Sequence, residues 1–220
     1  MDAAYNVMAM APDCIVIRYP SAGIPAKMAE LLSCSVINGG DGFHEHPTQA
    51  LLDMYSLKEH FGRIEGLTVA IVGDIMHSRV ARSNVYGLVK MGASVVLVAP
   101  KTLLPPGVES WGASVTHELD PVIPEADAVM MLRVQNERLN ERFFSDAREY
   151  SIFYGLNRKR VEMMKDGAVI MHPGPMNRGV EITHDAADSA RSIILDQVEN
   201  GVAVRMTLLY LSMGGTANVD

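Results

Sequence analysis

Apolar residues fall in short runs separated by stretches of helical spacing. Cys-Ile-Val-Ile-Arg at 14–18 is an apolar run fit for a buried strand, 25–33 has a helical pattern, and Ser-Val-Ile-Asn at 35–38 is strand-like. Over 47–61, Leu51, Leu52, Met54, Tyr55 and Leu57 keep helical spacing, with Pro47 suited to the first turn. Phe-Gly-Arg-Ile-Glu-Gly (61–66) breaks the pattern and marks a boundary between two lobes. Beyond it, the run at 67–74, a helix at 79–91 and a run at 94–100 predict a βαβ unit. Further strands are expected at 113–116, 126–133 and 167–173, with helices at 157–165 and 185–200. A last helix at 202–213 is apolar on most sides, so it should dock against another lobe. Alternating strands and helices predict an α/β fold whose parallel sheets are covered on both faces.

In such sheets ligands bind outside the carboxyl ends of the strands. Arg18 ends the first strand; Asp74, followed by Ile-Met-His-Ser-Arg, ends the strand that opens the second lobe. Arg133 ends the 126–133 run and His172-Pro173 ends the run at 167–173. This convergence says more than any one motif.

Composition narrows the partners. A chain of 220 residues with 48% hydrophobic content is long enough for a real core. The net charge of -7 argues against nucleic acid, because phosphate backbones need a basic surface. Anionic small molecules stay open, since a few arginines set the field of one pocket whatever the total. Cys14 and Cys34 have neither metal nor disulfide-framework spacing and read as reduced thiols of a cytoplasmic protein. No apolar run approaches 18 residues, so no membrane span is expected, nor is a secretory signal.

Four stretches carry candidate chemistry. His44-Glu45-His46 precedes the 47–61 helix. It reads as a metal pair short of further ligands, as a plain turn, or as a neutral imidazole that donates to a polarised carbonyl beside a helix N-terminus. Val-Gly-Asp-Ile-Met-His-Ser-Arg (72–79) lacks the glycine spacing of a dinucleotide site, and its Arg79 is either an anion ligand or a solvated helix arginine. Arg133 and Gln135, two apart at a strand end, suit a carboxylate or a salt-bridged loop equally. His-Pro-Gly-Pro-Met-Asn-Arg-Gly (172–179) is a stiff loop whose prolines offer carbonyls without amide donors, for an amine to bind or simply as a rigid turn.

Together, Asp-Gly-Phe-His-Glu-His-Pro-Thr-Gln (41–49), Val-Gly-Asp-Ile-Met-His-Ser-Arg, Arg-Val-Gln-Asn-Glu-Arg (133–138) and His-Pro-Gly-Pro-Met-Asn-Arg-Gly-Val-Glu-Ile (172–182) resemble the aspartate carbamoyltransferase family, in its order and spacing. Thr48 and Pro173 stand where the ornithine branch carries cysteines, which favours aspartate. The resemblance implies two Rossmann-like lobes, with 1–62 as the remainder of a carbamoyl-phosphate domain, 63–201 as an aspartate domain and 202–220 as a helix returning to the first lobe. It implies transfer of a carbamoyl group from carbamoyl phosphate to L-aspartate in pyrimidine biosynthesis, without cofactor or metal. His46 and Arg18 match the catalytic pair at the carbonyl oxygen. Gln49, Pro173 and Gly174 match the remaining carbamoyl-phosphate contacts in this sequence. Arg79, Arg133 and Gln135 match the groups that grip aspartate. Gly174 replaces a leucine and Val80 a threonine found in some members.

The family implied is about a third longer at its N-terminus, so the first lobe is expected to be truncated, without the Ser-Thr-Arg-Thr phosphate loop. Negligible turnover by this chain alone is expected. Full-length members form homotrimers, and some bind regulatory or dihydroorotase subunits. The alternatives are a non-catalytic paralogue that binds aspartate or a partner subunit, and a carbamoyltransferase for another amine.

Overall fold

The structure, a computed structural model, describes residues 2–134 and 147–216. Helix α1 (Asp2–Met8) leads into β1 (Cys14–Tyr19), α2 (Ile24–Leu31), β2 (Ser35–Asp41) and α3 (Pro47–Phe61). β1 and β2 pair in parallel, Cys14 opposite Ser35 and Ile17 opposite Asn38. The chain then enters a second lobe of β3 (Thr68–Val72), α4 (Arg79–Lys90), β4 (Ser94–Val98), β5 (Ser114–Thr116) and β6 (Ala128–Met131). Helices α5 (Ala147–Tyr154) and α6 (Arg158–Met163), strand β7 (Val169–Met171) and helices α7 (His184–Ala187) and α8 (Ile194–Ser212) follow. The five strands lie in the order β5-β4-β3-β6-β7, every pair parallel. This is the α/β architecture that the alternation predicts.

The central strands read as continuous apolar runs because both faces are buried. Val69, Ile71, Ala128, Met130, Val169 and Met171 face one cluster, which α3 and α4 complete with Leu57, Val85 and Leu88. Their alternating neighbours Ala70, Val72, Val129, Met131 and Ile170 face the other, with Tyr150, Tyr154, Leu156 and Ile182. Period-two alternation thus splits one apolar run between two cores.

The chain order reverses beside β3: β4 and β5 extend the sheet on one side, β6 and β7 on the other. A crevice opens at such a switch point beyond the strand ends. Asp74 and Arg133, just past β3 and β6, flank it.

The C-terminal helices differ from expectation. The 185–200 region is not one helix, and the last helix starts at Ile194 rather than near 202. The backbone of 191–193 is claimed by β7: Ile170 N–H donates to Arg191 O at 2.8 Å, and Ile193 N–H donates to Ile170 O at 3.0 Å. Groups used in that bridge cannot also serve a helix. Among the described residues no helix is long and apolar enough to cross a membrane.

Candidate functional site

A cleft of about 610 Å³ lies beyond the carboxyl ends of the strands of both lobes. Arg18, His46, Gln49, Arg79, Arg133, Pro173 and Gly174 all line it. Residues far apart in the chain therefore meet at one hollow, as the strand-end convergence predicts. Gln135 lies outside the described residues.

Each side chain is delivered by a local device. The turn before α3 is built around the buried carboxylate of Asp41, which accepts from Gly23 N–H (2.7 Å), Asn38 Nδ2 (3.1 Å), His44 Nδ1 (3.1 Å) and Glu45 N–H (2.9 Å). Burial pushes Asp41 up, but these hydrogen bonds outweigh it and hold the carboxyl below its usual range. The two histidines of the His-Glu-His stretch then part: His44 stays on Asp41, and His46 becomes the N-cap of α3 and turns to the cleft. The His46 amide donates to Ser83 Oγ on α4 at 2.9 Å, and Ser83 in turn donates to Glu45. The ring's Nδ1 is 3.3 Å from Thr48 Oγ1.

The imidazole is held neutral, with its pKa lowered to about 4. Burial is the largest cause, followed by the charges of Arg79, Arg18 and Arg205. The N-terminal field of α3 acts in the same direction. A neutral ring has one N–H. The Thr48 contact fits a hydroxyl donating to Nδ1, the arrangement that puts that proton on Nε2 and leaves it for the cleft.

Arg79 opens α4, whose N-cap Ser78 accepts from Ala81 N–H at 3.1 Å. The guanidinium crosses to the first lobe and donates to Gly42 O at 3.3 Å. It passes so close to Gly40 that a Cβ there would stand 2.8 Å from Cζ, and Gly40 has φ of +116°. Only glycine fits such a backbone and such an approach. Burial and the nearby Arg18 charge lower Arg79's pKa, with Asp41 opposing. Two guanidiniums facing one hollow favour an anion between them.

The Pro173–Gly174 corner is fixed from beneath. Buried His172 accepts from Gly174 N–H at Nδ1 (2.9 Å), so its Nε2 carries the proton and donates to Glu181 Oε1 at 3.2 Å. Glu181 also accepts from Asn177 N–H at 2.5 Å and Val134 N–H at 3.5 Å. Asn177 Nδ2 donates to Val134 O at 2.5 Å. One buried carboxylate thereby ties the Pro173 loop to the chain beside Arg133.

Two cleft residues, Arg205 and His77, escape sequence reasoning. Arg205 sits within α8 and reads as an ordinary solvated helix arginine. His77 bonds the Asp74 carboxylate at 3.0 Å and meets the Phe43 ring edge-on at 5.2 Å. His77 lies in the Val-Gly-Asp-Ile-Met-His-Ser-Arg stretch, yet only the fold brings it against Phe43.

Residues 65–212 match the family model of the aspartate/ornithine carbamoyltransferase Asp/Orn binding domain, and 1–59 match the carbamoyl-P binding domain of the same family. The aspartate carbamoyltransferase catalytic subunit of Desulfosudis oleivorans is 58% identical over 98% of this chain and 69% of its own length. That of Acidothermus cellulolyticus is 56% identical over 97% of this chain and 66% of its own length. Aspartate transcarbamoylase from Trypanosoma cruzi, solved with carbamoyl phosphate, superposes with TM-score 0.86 at 26% identity, covering 98% of this chain and 70% of that one. Ornithine carbamoyltransferase from Pyrococcus furiosus superposes with TM-score 0.83 at 30% identity, covering 98% and 71%. The chain spans about two thirds of the length of these relatives. With both family domains matched along its length, the chain belongs to the aspartate/ornithine carbamoyltransferase family.

Proposed function

We propose that the cleft binds carbamoyl phosphate and L-aspartate and carries the transfer of the carbamoyl group to the aspartate amine. The observation that carries this reading is the meeting of Arg18, Arg79 and Arg133 with a neutral His46 and the Pro173 corner in one hollow. Both substrates are anions, and the hollow concentrates cationic groups.

In this reading His46 Nε2–H and Arg18 donate to the carbonyl oxygen of carbamoyl phosphate. Charge gathers on that oxygen as the tetrahedral intermediate forms, so these donors strengthen in the transition state. Gln49 and the Pro173 carbonyl receive the carbamoyl NH2. Arg79 and Arg133 clamp the aspartate carboxylates and aim the free amine at the carbon. The C–N bond forms, the bond to the bridging oxygen breaks, and the amine proton leaves with the phosphate. A neutral histidine suits this work because the step needs a hydrogen-bond donor rather than an acid.

Aspartate is favoured over ornithine by the clustering of arginines, which suits two carboxylates. The same reading assigns 1–62 to the carbamoyl-phosphate side, 63–201 to the aspartate side, and a homotrimer to the assembled enzyme. Exposed Val16, Tyr19 and Leu31 on the first lobe supply apolar area for such contacts. Sedimentation velocity tests the assembly, and a monomer at all concentrations speaks against it.

Calorimetric titration with N-phosphonacetyl-L-aspartate tests the site. Binding is expected. Arg133→Met should weaken it by about tenfold to a hundredfold, the size of a lost charge-assisted contact. Absence of binding to the unaltered chain overturns the reading.

A further inference from the structure

Beneath the cleft lies a polar cluster whose centre, Asp53 with Gln197 and Asn84, the proposed chemistry does not use. Asp53, on α3, is fully buried. Its Oδ1 accepts from Gln49 Nε2 at 3.0 Å and from Gln197 Nε2 at 2.7 Å. Its Oδ2 accepts from Asn84 Nδ2 at 2.8 Å. The three donors come from α3, α8 and α4. Gln197 has a second role: its Oε1 accepts from His172 N–H at 2.9 Å, at the residue before Pro173. A chain of hydrogen bonds therefore runs from Gln49 through Asp53 and Gln197 to the Pro173 corner. Both ends of that chain line the cleft.

An ionised carboxylate only accepts hydrogen bonds. It therefore settles which way each primary amide turns. Gln49 must point its NH2 inward at Asp53, which leaves Oε1 for the cleft. Gln197 must do likewise, which leaves its Oε1 for His172. Burial raises the Asp53 pKa to about 6, with the three amide donors opposing, so the group is a carboxylate above pH 7.

We propose that Asp53 is a positioning residue that sets recognition of an amino group on the carbonyl substrate, by turning the Gln49 carboxamide oxygen toward the cleft and, through Gln197, fixing the backbone that presents the Pro173 carbonyl. Two acceptors held in this way fit a group with two N–H donors. They leave a methyl group in the same place with unanswered acceptors. The site should then choose carbamoyl phosphate over acetyl phosphate, which differs in having CH3 for NH2. The inference rests on the proposed function and names what the buried cluster adds to it.

The test is calorimetric displacement at pH 8 with three ligands: carbamoyl phosphate, acetyl phosphate and N-phosphonacetyl-L-aspartate. The last has no free carbamoyl NH2 and so reports the contacts to its carbonyl and its anionic groups without that amino group. The unaltered chain should prefer carbamoyl phosphate over acetyl phosphate by about tenfold or more. Asp53→Asn should shrink that preference to about threefold or less, with affinity for N-phosphonacetyl-L-aspartate changed by less than about threefold. Gln197→Met, which keeps length and bulk but deletes the amide, should shift the preference the same way and guards against misfolding of the Asp53 variant. A preference that survives both substitutions overturns the proposal while leaving the proposed function intact. Equal losses for all three ligands overturn it too, since a merely structural role would produce them. If the unaltered chain binds none of the three, the proposed function falls and the positioning role falls with it.

Discussion

At the scale of single residues, the site shows how burial and charge select a protonation state. His46 is lowered to about 4 by burial and by three arginines. Its unfolded value lies near 6.5. Between those values the unfolded chain binds more protons, so His46 contributes stability above about pH 6.5 that is lost as the pH falls toward 4. Asp53, raised to about 6, has the opposite sign: stability associated with it falls as the pH rises from about 4 to 6. His46→Gln should therefore shift the balance of urea midpoints toward pH 5, because the opposing Asp53 contribution is then left alone between pH 5 and pH 7. An unchanged balance shows that the imidazole is not the linked group. In the unaltered protein, the His46 ring should show no NMR titration between pH 6 and 8, and a midpoint near 6.5 rules out the neutral donor. Arg18, His46, Arg79, Arg133 and Pro173 were legible in the sequence because each lies at or just past a strand end or at the start of a helix. Arg205 and Asp53 were not. Both sit within helices, where an arginine or an aspartate reads as solvated until the neighbouring element is known.

At the scale of elements, α8 carries the main difference between sequence and structure. The two helices expected there, 185–200 and 202–213, fall on either side of Gly201. In the structure it lies inside one helix that runs from Ile194 to Ser212 and packs against α3. A Cβ at Gly201 would stand 3.3 Å from Leu52 Cδ2 and 2.4 Å from the end of the Arg205 side chain. The glycine thus allows two helices to approach closely and says nothing about a break. Such a role depends on a surface far away in sequence, so no local pattern records it. Gly201→Val should push α8 off α3 and destabilise the fold by about 1–3 kcal/mol, the usual cost of overpacking. Gly201→Ala sets a gain in helix propensity of about 1 kcal/mol against a tight contact with Leu52. Thermal denaturation of both variants checks this: a valine variant as stable as the alanine one shows that the helices are not in close contact there. The helix 47–61, by contrast, was legible to the residue, because Pro47 and Gly62 bracket it with rigid start and stop signals.

At the scale of the whole molecule, the two lobes are built to different standards. Among the described residues the second has five strands with an apolar cluster on each face. The first has two strands, and Val16 on it is 58% exposed. Two paired strands alone are marginal in water and need helices packed on them. Here α2, α3 and part of α8 supply that packing. Amides of 14–41 should therefore exchange with solvent much faster than those of 68–72 and 128–131, by opening of the first lobe while the second stays folded. A ligand that spans the cleft touches Arg18 and His46 on one side and Arg79 and Arg133 on the other, so opening either lobe expels it. At a concentration about a hundred times its dissociation constant, such a ligand adds about 2.7 kcal/mol to every opening that destroys its site, close to a hundredfold in protection. Hydrogen exchange with N-phosphonacetyl-L-aspartate should show that slowing across 14–41. Slowing confined to 68–134 would mean that the ligand is held by the second lobe alone, and that the first lobe's arginine and histidine face the cleft without gripping what lies in it.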